Sequence, residues 1–324
     1  MNDFAKYQTE LKNILDDSIQ HHLEYIDKEN DYYILTLYNG TIFNGKVILN
    51  KRPYYDDNRY HPTYDVEVLP KPSQSGIALK HIHKPEHVDR AIMPYHKFSR
   101  NIYHMFLCDN NTLSNSEMCS CIPSNNNVVI PFQNNACDFI KDRFFTNYNV
   151  ITNKTFTFDH LTIVNSGRVT YTDNLSRLEK QIDKLKRLIL RKSSSSIRKL
   201  FVYRTKGGRL INNIAQICDK LSNKGFTIMS DIELASLSVR DQAGLFSKLN
   251  EYVSIHDASL YNIVYCKPKT KITVLEPIKS LHEKNEDAFE KVCKILNLNY
   301  SPIYIDGDKS WRDSSYYLNC SMWS

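Results

Sequence analysis

The sequence predicts an α/β protein, and three observations carry that prediction. Strand and helix patterns alternate four times between residues 199 and 297 with short connections. That rhythm spells a parallel sheet with helices on both faces. A serine run, Ser193 to Ser196, separates this regular half from an earlier half of different texture. Residues 31–50, DYYILTLYNGTIFNGKVILN, alternate apolar and polar side chains around Asn39-Gly40 and Asn44-Gly45, a hairpin signature.

In chain order, residues 51–75 carry Pro53, Pro62, Pro70 and Pro72 and read as loop or edge. IYHMFLC (102–108) and VVIPF (128–132) read as buried segments, and ACDFIKDRFF (136–145) as a helix. Residues 172–192 read as a helix with Leu175, Leu178, Ile182, Leu185 and Ile189 on one stripe. The regular half then begins with strand KLFVY (199–203) and helix 210–224, which Gly225 ends. Strand FTIM (226–229) and helix 239–250 follow, then strand YVSI (252–255) and a short helix from Ala258. KITVLE (271–276) is the last strand and 285–297 the last helix. The expected domains are 1–192 (including a β-rich segment 31–75 and the basic helix 172–192) and 197–305. A tail, 306–324, is expected to cross back to the first domain.

The chain has 324 residues, 41% hydrophobic and 24% charged, which suits a packed protein rather than a disordered one. A net charge of +6 favours anionic partners without choosing among them. The first residues, MNDFAKYQTELKNILDDSIQ, lack a signal-peptide core, and no apolar run reaches the roughly 20 residues that cross a bilayer. The eight cysteines are scattered, and no C-x-x-C or His/Cys spacing suggests zinc. They read as reduced residues of a cytoplasmic protein.

Ligands of parallel α/β sheets bind beyond the carboxyl ends of the strands. The first such end is Tyr203-Arg204-Thr205-Lys206-Gly207-Gly208-Arg209, the third Ile255-His256-Asp257-Ala258-Ser259, and the fourth Leu275-Glu276-Pro277. Guanidinium groups and glycines after a strand suit a phosphate, and so do free N–H groups at a helix start. Neither G-x-G-x-x-G nor a Walker A sequence is present, which disfavours a dinucleotide or P-loop site.

Laid out in this order, the strand ends resemble those of glycosyltransferase family 61 over about 199–304, with a further touchpoint at 101–109. The residues that carry the resemblance are Arg204, then Arg209-Leu210-Ile211-Asn212-Asn213, then Asp241-Gln242. His256-Asp257-Ala258-Ser259-Leu260-Tyr261-Asn262 follows, then Pro268-Lys269-Thr270 and Leu275-Glu276-Pro277. In the first half, Asn101-Ile102-Tyr103-His104 with Asp109 is similar to the family's Asn-x-x-His segment. Four positions depart from the pattern: Asn213 and Asp241 replace glutamates, and Asp257 and Ser259 replace glycines. An aspartate at 257 would repel a pyrophosphate unless its side chain turns away or pairs with Lys206 or Arg209.

The resemblance implies a GT-B-like architecture of two Rossmann-like domains facing across a cleft. It also implies an inverting glycosyltransferase that moves a sugar from a nucleotide diphosphate, UDP by default, to a hydroxyl of a saccharide or lipid-linked saccharide. The product would be a surface polysaccharide or glycoconjugate, capsule and lipopolysaccharide among them. His104 is the expected base, because imidazole accepts a proton near neutrality, and Asp109 is its orienting partner. Arg204, Arg209 and the helix start at Ala258, Ser259 and Leu260 would stabilise the departing diphosphate without a metal. Asn212, Gln242, His256, Asn262 and Glu276 would bind base, ribose or sugar hydroxyls.

Two features pull elsewhere. Asp306-Gly307-Asp308 has the D-x-D form that metal-dependent sugar transferases use, but it follows all four strand–helix units and is also an ordinary turn sequence. Between Arg177 and Arg209 basic residues greatly outnumber acids. Such a segment could lie on an anionic membrane, placing the protein peripherally at the inner face, or bind a polyanion. The alternatives are a polyanion-binding or nucleic-acid-binding protein and, from the altered histidine signature, an inactive relative that binds glycans or a partner enzyme. The preferred reading expects no nucleic acid and no cofactor.

Overall fold

The computed structural model describes residues 21–27, 32–43, 46–50, 59–61, 66–69, 86–93, 127–130, 148–152, 156–165, 175–190, 195–277, 288–305 and 315–319. The chain divides into two compact units, Met1–Val169 and Thr170–Ser324.

The first unit is built on a mixed sheet. Its strands are β1 (His21–Asp27), β2 (Tyr32–Phe43), β3 (Lys46–Asn50), β4 (Arg59–His61), β5 (Val66–Leu69), β6 (Glu86–Met93), β7 (Asn127–Ile130), β8 (Asn149–Thr152) and β9 (Phe156–Asn165). They run in the order β4-β5-β3-β2-β9-β6-β7-β8, with β1 also on β2. The 12-residue β2 accepts two neighbours along one edge: β1 pairs antiparallel with its first half and β3 with its last four residues. Only Asn44-Gly45 lies between β2 and β3. Asn39-Gly40, expected as a turn, sits inside β2, where Asn39 takes φ 55° while the register with β9 continues on both sides. Asparagine tolerates the left-handed region well enough to do this within a strand.

From β9 to β8 the pairing is parallel throughout, and Ala91, Ile92, Met93 and Val128 are fully buried there. The segments 102–108 and 136–145 lie outside the described residues.

The second unit holds the predicted parallel sheet: β10 (Lys199–Tyr203), β12 (Thr227–Ser230), β13 (Glu251–Ile255), β14 (Lys271–Pro277) and β15 (Asn299–Ile305). The spatial order is β12-β10-β13-β14-β15, all parallel. Relative to the chain this is 2-1-3-4-5, so the order reverses between β10 and β13, and a crevice at that reversal is where such sheets bind ligands. The fifth strand, NYSPIYI, extends the four that the sequence predicts. Pro302 argues against a strand, but β15 is an edge, where proline is tolerated.

The helices are α1 (Leu175–Ile189), α2 (Ile214–Asn223), α3 (Asp231–Ser236), α4 (Val239–Phe246) and α5 (Ala288–Ile295), with a 3-10 helix over Ala258–Tyr265. α3 is an addition to the sequence reading. Its start is a capping box in which Ser230 and Glu233 satisfy each other's backbone N–H groups, worth about 1 kcal/mol.

Two boundaries differ from the sequence reading. α1, assigned from sequence to the first domain, belongs to the second unit. Its stripe of Leu178, Ile182, Leu185 and Ile189 is buried, and it packs against α4, α5 and the 3-10 helix. That apolar face is therefore not available to a membrane, although Lys180 and Arg187 remain exposed. The tail, expected to return to the first domain, is tied at residues 315–318 to the second unit. β16 (Ser315–Tyr316) pairs in parallel with β11 (Leu210–Ile211), and Tyr316 and Leu318 enter the core beside Phe201, Ile217, Val253 and Leu275. Burying an apolar side chain of this size contributes about 1.5–3 kcal/mol. No described helix is long and apolar enough to cross a membrane.

Candidate functional site

The site begins where β10 ends, at the reversal of strand order. Residues 204–209 turn sharply: Gly207 takes φ 81° and Arg209 φ 64°, the latter rare for a residue with a side chain. A Cβ at Gly207 would lie 3.2 Å from a terminal nitrogen of Arg204, so glycine lets that guanidinium lie along the loop. Arg204 Nη2 also donates to the Lys206 carbonyl, at 3.4 Å. The loop is moored to the neighbouring strand end through Thr205, whose N–H and hydroxyl both donate to Asp231 Oδ1, at 3.1 and 2.7 Å.

Arg209 then crosses to the loop that follows β13. Its Nη1 donates to the His256 carbonyl at 2.5 Å. Burial lowers the pKa of Arg209 and the Arg204 charge lowers it further, while Asp257, Tyr316 and Glu276 oppose this. An arginine keeps its charge at any such shift. Two like cations are thus held within electrostatic reach of one another, an arrangement that an anion would relieve.

His256 stands on the same rim. Its Nδ1 donates to the Glu276 carboxylate, 2.8 and 2.9 Å from the two oxygens, and Phe289 meets the ring edge-on at 5.2 Å. Glu276 is buried and His256 partly exposed. The carboxylate at the end of β14 therefore fixes the orientation of the imidazole at the end of β13.

Asp257, in place of the family glycine, turns its side chain back. Oδ1 accepts from the Ser259 N–H at 2.8 Å and from the Ser259 hydroxyl, capping the 3-10 helix. Its backbone is extended, φ −154° and ψ −177°, so the side chain imposes no conformational strain. Burial raises the Asp257 pKa, against the hydrogen bonds from Ser259 and the charges of Arg204 and Arg209. The cap corrects one expectation: the Ser259 N–H, predicted as a donor to phosphate, already serves the Asp257 carboxylate. The positive character of this rim thereby rests on the arginines more than on the helix start. Leu260 is wholly buried, as core.

Beneath this rim lies a supporting layer. Gln242 and Asn262, predicted to touch a ligand, are buried and bonded to each other: Asn262 Nδ2 donates to Gln242 Oε1 at 3.0 Å, and Gln242 Nε2 to the Leu237 carbonyl. Asp241 accepts from the Ser238 hydroxyl at the start of α4. Ser259 also meets the buried Tyr252 hydroxyl at 2.7 Å. Asn212 faces the tail, its N–H donating to the Tyr316 carbonyl and its side chain to the Ser315 hydroxyl.

Asn213, where the family has glutamate, makes a two-way clasp. Its Nδ2 donates to the Leu318 carbonyl at 2.8 Å and its Oδ1 accepts from the Leu318 N–H at 3.0 Å. An amide offers a donor and an acceptor side by side and an ionised carboxylate only acceptors, which gives the departure a structural reason.

The structure thus gathers Arg204, Arg209, His256 and Glu276 at the strand-order reversal and sets Ala258 and Ser259 beside them. His104 and Asp109 lie outside the described residues, as do Asp306-Gly307-Asp308. Sequence reasoning missed Thr205 and Asp231, although Ser230-x-x-Glu233 was readable as a helix start. It also missed the tail residues Tyr316 and Leu318, for which no local signal exists.

A family model described as Glycosyltransferase 61 matches residues 66–273, more than half of the chain. No curated protein matches the sequence. Among solved structures, a mutant flavo di-iron protein from Thermotoga maritima aligns with 88% of this chain and 94% of its own. It does so at 11% identity and a TM-score of 0.23, too low to bear on fold or function.

Proposed function

The chain belongs to the glycosyltransferase 61 family, and we propose that it is an inverting glycosyltransferase whose second unit binds a nucleotide-diphosphate sugar. One observation carries this reading: Arg209 from the first strand end bonds the His256 backbone at the third, beside Arg204. Two guanidiniums at that reversal suit a diphosphate, and charge that grows on it during transfer would meet fixed donors.

In this reading His256, held by Glu276, binds ribose or sugar hydroxyls at the exposed edge of its ring. Gln242, Asn262 and Asn212 hold the two loops in place rather than touching the donor. His104 takes the proton of the acceptor hydroxyl, and the departing diphosphate needs no metal. The architecture would be of the GT-B kind, the nucleotide UDP, and the acceptor a saccharide or lipid-linked saccharide of a surface polysaccharide, handled in the cytoplasm. The family supports transfer of a sugar. These finer assignments extend it.

The test is thermal unfolding with UDP and other nucleotide diphosphates, with and without EDTA. The upward shift produced by the nucleotide should survive EDTA and vanish in Arg209→Ala. A shift retained in Arg209→Ala would overturn the reading.

One observation favours a second reading, a donor-binding relative without transfer: the Asp257 carboxylate occupies the Ser259 N–H. Nucleotide binding with no sugar transfer to any saccharide acceptor would select it.

A further inference from the structure

In the first unit, β6 and β9 run parallel with His87 opposite Thr157. Alternate residues of a strand share a face, so His87 and Asp89 of β6 lie on one side with Thr157 and Asp159 of β9. All three potential ligands are open to solvent, with side-chain exposures of 52% for His87, 88% for Asp89 and 52% for Asp159.

The distances matter more than the composition. His87 Nε2 lies 3.4 Å from Asp89 Oδ1 and 3.5 Å from Asp159 Oδ2. A hydrogen bond between an imidazolium and a carboxylate is shorter, about 2.7–2.9 Å. A tetrahedron of metal bonds of about 2.1 Å has edges of about 3.4 Å. The three ligand atoms lie within 4.8 Å of one another, so small rotations of the aspartates complete such a set.

The imidazole is also oriented for the task. Its Nδ1 is 3.0 Å from the Thr157 hydroxyl. With the proton on Nδ1 donated to that oxygen, the Nε2 lone pair faces the two carboxylates. A lone pair and two anions facing one another repel unless a proton or a metal cation sits between them, and the 3.4–3.5 Å separations suit the metal better than the proton. Histidine ligands of metals are commonly held in this way by an outer hydrogen bond.

We propose that His87, Asp89 and Asp159 bind a divalent cation of the zinc class, with Thr157 orienting the histidine and the fourth position open to water. One nitrogen and two oxygen ligands suit zinc and its neighbours in the first transition row. The donors come from two strands brought together by the sheet, which is why no Cys/His spacing marks them in sequence. The proposal concerns the first unit alone and does not depend on the donor site of the second.

The test is titration of the full chain with Co2+ alone, followed by visible absorption, then displacement by Zn2+. One equivalent of Co2+ should give the d–d bands of a four-coordinate site without near-ultraviolet thiolate bands. Asp159→Asn and His87→Gln should abolish the bands, and Thr157→Val should weaken binding about 10-fold or more. His87 and Asp159 are exposed and Thr157 half-buried, so the variants should keep the wild-type circular dichroism. Asp89→Asn replaces any that does not. Absence of saturable binding, thiolate bands, or unchanged binding in the aspartate variants would overturn the proposal.

Discussion

Arg209 donates a hydrogen bond from its guanidinium to the main-chain carbonyl of His256, joining two loops 47 residues apart in sequence. The bond spans the point where the order of the parallel strands reverses. It places a half-buried cation, held in left-handed backbone, where the ligand of such a sheet belongs.

Replacing Arg209 by alanine removes that bond and one of the two charges facing the proposed diphosphate. The affinity for UDP should fall by about 10-fold or more, since hydrogen bonds to charged groups contribute about 1.5–3 kcal/mol. Lysine keeps the charge but not the fork, so Arg209→Lys should recover only part of the loss. Calorimetric titration of both variants checks this.

Asp257 should make both stability and binding depend on pH. Its folded pKa is raised by burial above the ordinary value, which is about 3.9. The folded state therefore holds the proton more tightly than the unfolded state. The stabilisation is fully present below about pH 3.9 and is lost as pH rises through the folded pKa. Asp257→Asn, which can still cap, should remove this loss. It should also bind UDP more tightly at about pH 7, because no carboxylate then opposes the phosphate. Urea denaturation across that pH range and calorimetry near neutrality would show both effects. An unchanged slope and affinity would refute them.

The Asn213 clasp can be broken by one atom. Asn213→Asp keeps the acceptor for the Leu318 N–H but sets an oxygen against the Leu318 carbonyl. The cost should be about 1–3 kcal/mol in urea denaturation of the whole chain. Leu318→Ala, which empties a core position, should cost about 2–5 kcal/mol.

His104→Ala should leave nucleotide binding unchanged and lower the rate of transfer by about 100- to 10,000-fold, the span that a positioned general base supplies. A variant with unaltered turnover would remove His104 as the base.

Much of the second unit was legible in the chain itself. Short apolar runs such as KLFVY and YVSI, each followed by a helical stripe, announce parallel strands. The polar ends Arg204 to Arg209 and His256 to Ser259 then mark the ligand edge. Local chemistry suffices there, because periodicity and turn residues act within a few positions of one another. Edge strand β15 escaped because Pro302 argues against a strand until the sheet edge is known. The placement of α1 escaped because an apolar stripe says that a face is buried, not against what.

Residue types and their order determined the α/β alternation, the family, and the cations gathered at one end of a sheet. The tertiary structure decided which of those residues stay at the strand-end rim and which lie in the layer beneath it. It buried Gln242 with Asn262 and brought Leu318 to Asn213. It also set His87 and Asp89 beside Asp159. Each of these choices depends on partners distant in the chain, whose approach is fixed by strand order and core packing rather than by any local preference.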